Sequence, residues 1–120
     1  YIFEAPASLE MVDDSAEAGQ FSSLAYDALD NAHISYFDEG NDRLKYAFEN
    51  PSWNPSFVTE ANKEGLYTSM LLIKDQPYIF YYDFKDQNLG LAILAGGEWD
   101  AITLDEEGNC GLYPSAAIHP

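Results

Sequence analysis

Short apolar runs separated by polar turns pattern this chain from end to end. One complete set comprises residues 23–27, 33–38, 44–49 and 56–60, with breaks at 28–31, 39–42 and 50–52. The breaks are rich in Gly, Pro, Asn and Asp, which supply positive φ, fixed φ and local hydrogen bonds. Runs of Tyr, Phe and Ile at regular spacing between such breaks predict antiparallel strands. No window sustains the i, i+3, i+4, i+7 stripe of a core helix, and residues 15–18 are too few and too acidic to count. The runs Met70-Leu71-Leu72-Ile73 and Tyr78-Ile79-Phe80-Tyr81-Tyr82 do not alternate with polar residues. A sheet with one wet face alternates, so these strands are expected to be covered on both faces.

The pattern is a repeat. Gly19-Gln20-Phe21-Ser22-Ser23-Leu24, Gly65-Leu66-Tyr67-Thr68-Ser69-Met70 and Gly111-Leu112-Tyr113-Pro114-Ser115-Ala116 follow one another 46 residues apart. His33-Ile34-Ser35-Tyr36-Phe37-Asp38 answers Tyr78-Ile79-Phe80-Tyr81-Tyr82-Asp83, Leu44-Lys45-Tyr46-Ala47 answers Leu89-Gly90-Leu91-Ala92, and Trp53 answers Trp99. The opening Tyr1-Ile2-Phe3-Glu4 matches Tyr46-Ala47-Phe48-Glu49, and Val12 matches Val58. A fixed period of this size marks one supersecondary unit per copy. A four-stranded unit of this length, sandwiched between neighbours, predicts an all-β fold of β-propeller blades. The expected division is a partial blade at 1–18, blades at 19–64 and 65–110, and a partial blade at 111–120. That is an incomplete ring, to be finished by other copies or by a longer chain. Beginning and ending within a blade also suits a closure in which strands from two termini complete one unit.

The pattern Ser-Leu-Ala-x-Asp, His-Ile-Ser-Tyr-Phe-Asp, Leu-Lys-Tyr-Ala and Trp resembles bacterial extracellular β-propeller repeats, grouped loosely with the sialidase-like, BNR-type propellers. The resemblance covers nearly the whole chain and implies a secreted or extracellular protein. The Ser-x-Asp-x-Gly-x-x-Trp box of that group is missing, and Arg43 is the single Arg, so the Arg cluster with which sialidases hold a carboxylate is missing too. Fucose-binding lectin propellers have repeats of like length with a Trp, but their sites also need Arg. The propeller arrangement implies that most of the acidic residues lie in the loops of one rim.

Charge narrows the classes. There are 21 acidic and 5 basic residues, a net charge of −16. Nucleic-acid binding rests on Lys and Arg at phosphates, and binding to anionic membranes rests on the same residues, so both are excluded. No apolar stretch approaches the roughly 20 residues of a membrane helix. The single Cys110 excludes an intramolecular disulfide framework.

Candidate chemistry is of two kinds. Trp53 and Trp99 flank turns and are candidates for stacking on a sugar face; packing between blades is the competing reading. Phe21, Tyr67 and Tyr113 recur once per copy, and either line a ligand site near a central channel or wedge neighbouring blades. Asp38 with Asp42, and Asp83 with Asp86, place carboxylates at the two ends of a turn and are candidate Ca²⁺ ligands, although the spacing is not that of an EF-hand. Nucleophilic catalysis has little support: His33 falls in a strand, and there is no Gly-x-Ser-x-Gly elbow. The expected function is non-enzymatic binding or scaffolding, with a glycan or protein partner at the rim loops. The alternatives are a structural unit of an oligomeric ring or fibre, and part of a carbohydrate-active hydrolase or lyase.

Overall fold

A computed structural model describes residues 9–59 and 64–105. Tyr113 and Cys110 lie outside the described residues, as do both partial copies except for residues 9–18. The described residues form eight strands and no helix: β1 (Ala18–Tyr26), β2 (Ala32–Asp38), β3 (Arg43–Glu49), β4 (Trp53–Phe57), β5 (Glu64–Ile73), β6 (Gln76–Asp83), β7 (Asn88–Ala95) and β8 (Glu98–Asp105). They pair antiparallel in two four-stranded sheets, ordered β1-β2-β3-β4 and β5-β6-β7-β8. Each sheet is a meander, so one repeat of sequence makes one sheet.

Each first strand starts earlier than the apolar pattern predicts, because the repeated phrase is itself strand, carried through two bulges. In β1 the partners run Ala18↔Asp38, Gln20↔Phe37, Ser23↔Ser35. In β5 they run Glu64↔Asp83, Leu66↔Tyr82, Ser69↔Phe80. The phrase glycine is thus the extra residue of one bulge, and the aromatic with its follower opposes a single residue in the next. The dihedrals repeat as well: φ is 109° at Gly19 and 111° at Gly65, and 52° at Phe21 and 55° at Tyr67. A bulky residue at positive φ is a genuine outlier, and bulges re-aim side chains. The effect here is to turn one aromatic per copy toward the neighbouring sheet.

The fourth strand of the first sheet starts at Trp53, whereas the apolar pattern places it at residues 56–60. Pro55 breaks the apolar run, yet it sits in the ladder opposite Ala47. Proline lacks an N–H and is tolerated at the edge of a sheet, and β4 is an edge strand.

The two sheets pack face to face, with β1 and β5 side by side. The core lies between them and is shared: Leu44, Tyr46 and Val58 from the first sheet meet Met70, Ile79, Tyr81 and Ala92 from the second. Polar ties accompany it. Thr68 Oγ1 donates to the Phe21 carbonyl at 3.0 Å and lies 2.8 Å from Ser35 Oγ. The Met70 N–H donates to Ser23 Oγ at 3.0 Å, and the Ala28 N–H to Asp75 Oδ1 at 3.0 Å. Gly65 lets the sheets approach, since a Cβ there would lie 2.5 Å from the Leu44 Cβ and 2.7 Å from its Cα.

Candidate functional site

The sequence candidates divide by what the fold does with them. Tyr67 is turned by its bulge onto Phe21, edge to face, with ring centroids 4.6 Å apart. Trp99 meets Tyr46 of the first sheet edge-on at 5.1 Å. Both contacts join the two sheets. Phe21 is 44% exposed on its other side. Trp53 stands on edge strand β4, half-buried, and its indole N–H is enclosed without a hydrogen-bond partner among the described residues.

The four aspartates are not brought together as a cluster. Asp38 is fully buried and caps its own turn, accepting from the Asn41 N–H at 3.2 Å and from the Asn41 amide at 2.9 Å. Asp83 accepts from the Lys85 and Asp86 N–H groups at 3.0 and 3.1 Å. Asp42 and Asp86 occupy the turns themselves, Asp42 at φ 54°. Among the described residues no group of three or more His, Cys, Asp or Glu side chains is gathered as a metal ion needs.

Two polar clusters in the first sheet were not legible from residue spacing. One joins Asp27, His33 and Tyr46. Asp27 leads the turn between β1 and β2, where Oδ1 accepts from the Leu29 and Asn31 N–H groups, both at 2.9 Å. Its Oδ2 lies 3.1 Å from His33 Nε2, and His33 Nδ1 lies 2.7 Å from the Tyr46 hydroxyl. A carboxylate can only accept, so Nε2 carries a proton, and in the neutral ring Nδ1 accepts from the Tyr46 O–H. His33 also stacks on Phe48 at 4.4 Å. The His33 hydrogen bond, opposed by burial and assisted by Asn31 and Leu29, pulls the Asp27 carboxyl down to about 2. Burial, together with the Asp27 charge, pushes the Tyr46 hydroxyl well above the usual phenol range.

An acid–imidazole–hydroxyl chain has the order of a nucleophilic triad, but its hydroxyl is sealed. Tyr46 is buried against Trp99 in the shared core, so no substrate reaches it. The chain ties the first hairpin turn to β3. Because the folded Asp27 titrates below the ordinary aspartate value of 3.8, its stabilising contribution is complete above that value and is lost as pH falls through about 2. Urea midpoints of the wild type and Asp27→Asn, measured from pH 5 to pH 2, are expected to differ most at pH 5 and to converge toward pH 2. A constant gap across that range would show that the charge of Asp27 contributes nothing.

The second cluster centres on Asp13, just ahead of β1. Lys45 Nζ lies 2.5 Å from Asp13 Oδ2, and Tyr36 O–H donates to the same oxygen at 2.6 Å. The Ser15 hydroxyl and N–H donate to Oδ1 at 2.6 and 2.9 Å. Lys45 also stands 3.8 Å from the buried Asp38 carboxylate. Burial works to raise the Asp13 carboxyl, but the bonds from Lys45, Ser15 and Tyr36 hold it far below the usual range. Burial and then the Asp13 bond push Tyr36 far up.

Beside this cluster a cavity of about 200 Å³ opens between Val12, Asp13, Ala18, Gly19, Ser22, Ile34 and Tyr36. It lies on the side of the first sheet that faces away from the second. One signal in the sequence marks both clusters. They stand where the two copies differ: Asp27, His33 and Tyr46 answer Ile73, Tyr78 and Leu91, and Lys45 answers Gly90.

Comparisons with family models, with curated proteins and with solved structures found no match to this chain.

Proposed function

We propose that the two sheets are consecutive blades of a β-propeller of the extracellular repeat type, and that the chain is a non-enzymatic binding or scaffold module. The observation that carries the reading is the blade-like stacking: two meanders of one repeat, set face to face with their first strands side by side. The repeated bulge supports it, since it spends one aromatic per copy on joining neighbours.

A binding role is favoured over catalysis by how the polar groups are used. The Asp27–His33–Tyr46 chain is sealed in the core, and Asp38 and Asp83 are committed to turns. The loops remain to meet a partner, a glycan or a protein. Trp53 is the aromatic best placed for a sugar face. It stands next to the turn of residues 50–52, at the start of edge strand β4, where its ring is partly exposed.

The test is a polysaccharide panel read by tryptophan fluorescence and by release of reducing ends. Saturable binding without new reducing ends is expected, weakened at least tenfold in Trp53→Ala. Reducing ends that accumulate in proportion to protein would replace this reading with a hydrolase. Failure to bind any glycan, together with no protein captured at the loops, would leave it without support.

A further inference from the structure

We propose that the Asp27–His33–Tyr46 chain is a proton-operated latch on the joint between the two sheets: one proton on His33 Nδ1 reverses the hydrogen bond to Tyr46 and loosens Tyr46 against Trp99. Stacked sheets suffice for such a latch, and no bound partner is needed.

The chain stands where the second copy does without one. There the answering residues are Ile73, Tyr78 and Leu91, with neither an acid nor an imidazole. In the first copy the same positions hold a buried carboxylate and a buried ring: His33 is 3% exposed and the Asp27 side chain 8%. Buried ionisable groups add little stability over apolar residues that would fill the same space, so packing alone does not account for them. Their place is the joint itself. Asp27 leads the turn that contains Leu29, which is 80% exposed. The Ala28 N–H of that turn is given to Asp75 Oδ1, in the turn between β5 and β6. At the other end of the chain, Tyr46 meets Trp99 of β8 edge-on at 5.1 Å.

Proton uptake reverses one bond and keeps the other. In the neutral ring Nε2–H donates to Asp27, and Nδ1 accepts from the Tyr46 O–H at 2.7 Å. A charged ring has two N–H donors and no acceptor. The Asp27 bond then becomes an ion pair. At Nδ1 the new N–H donates to the Tyr46 oxygen, so the hydroxyl proton must turn away. Among the described residues that hydroxyl has no second partner. The second sheet offers it Met70, Ile79, Ala92, Leu94 and Trp99, none with an oxygen in its side chain. A buried donor left without an acceptor carries its full desolvation cost. A shift of the Tyr46 ring off Trp99, which lets water reach the hydroxyl, relieves it.

The charged and titratable groups around His33 are of other kinds. Its own turn holds Asp27 and Asp30, β3 holds Tyr46, the turn of residues 74–75 holds Lys74 and Asp75, and β6 adds Tyr81 to the shared core. Its partner on β1 is the uncharged Ala25. Carboxylates, amines and phenols ordinarily keep their charge between about pH 5 and 8, whereas an imidazole changes its own there.

Two measurements read the ring and the joint separately. Nitrogen NMR spectra of the His33 ring use a His119→Gln background, which leaves it the single His. They are expected to show a proton on Nε2 alone at about pH 8 and on both nitrogens at about pH 5. Trp99 emission uses a Trp53→Phe background, which leaves it the single Trp. It is expected to shift to longer wavelength over the same range, as Tyr46 leaves the indole and water enters. His33→Gln in that background is expected to hold its emission constant. A ring that has the same protons at both pH values overturns the proposal, and this readout needs no substitution at the chain itself. So does a ring that gains its proton while Trp99 emission stays fixed, since the charge then fails to reach the joint. An emission shift that persists in His33→Gln overturns it too, because another group would then be responsible.

Discussion

Gly65→Ala is expected to loosen the joint between the two sheets and to cost about 3 kcal/mol of stability, while Gly19→Ala costs about 1 kcal/mol. Both glycines have φ near 110°, so each substitution places a side chain in backbone that L-residues avoid. They differ in what lies above them. A Cβ on Gly65 would meet the Leu44 Cβ at 2.5 Å, its Cα at 2.7 Å and its N at 2.9 Å. Two of those atoms are backbone, which cannot rotate away, and Leu44 is itself fully buried at the centre of the shared core. Relief therefore requires the sheets to separate locally, which opens space beside Met70 and Ile79. A Cβ on Gly19 meets nothing, so only the backbone term remains. Denaturant unfolding of both variants measures the difference directly. Equal losses would mean that the approach of Gly65 to Leu44 contributes nothing to the joint.

The contrast between these two glycines also shows what the sequence discloses and what it hides. The phrase Gly-x-Phe/Tyr was visible as a repeat, and the four apolar runs per copy were enough for the number and order of strands in each sheet. The reason for the phrase was hidden. Phe21 and Tyr67 look like strand residues by propensity, and nothing in their side chains announces a positive φ. That conformation is imposed by two bulges in succession and by the aromatic contact they permit across the sheets.

The polar clusters were hidden for a different reason. His33 and Tyr46 come together only through the β2–β3 register, and Asp27 only through its turn. Asp13 reaches Lys45 from outside the sheet altogether. Of the candidates chosen for adjacency in sequence, Asp38 ends β2 and accepts bonds from Asn41, and Asp42 lies in the turn that follows. Adjacent carboxylates most often serve the local backbone. Comparing the copies was the more informative route. Where a repeat keeps its residues, the shared packing explains them. Where Lys45 replaces what is Gly90 in the next copy, a demand particular to the first sheet is on display.

That demand leads to the second large effect: Lys45→Met is expected to cost about 3 kcal/mol near neutral pH and to flatten the local pH dependence. The Lys45 and Asp13 side chains are 8% and 7% exposed, and the Asp38 side chain has no exposure at all. Lys45 is the cation between two buried carboxylates. Removing one member of such a pair strands the other, which costs more than deleting both. The loss stays near the lower end of the range because Asp13 retains its bonds from Tyr36 and Ser15. In the wild type the folded Asp13 carboxyl titrates below its unfolded value, so protonation opposes folding and stability declines as the solution is acidified. Without Lys45 the same carboxyl keeps its bonds from Ser15 and Tyr36 but loses one of the partners that lower it, so its folded value moves up toward the unfolded one. Lys45→Met should therefore lose less stability than the wild type when the solution is acidified from pH 5 to pH 2. The double variant Asp13→Asn, Lys45→Met carries neither charge and should be less damaged than Lys45→Met alone. Urea midpoints for the three proteins at these two pH values decide the matter. If the single and double variants are equally destabilised and respond identically to acid, Lys45 acts through its packing against Phe57 and Tyr36 and the buried ion pair contributes nothing.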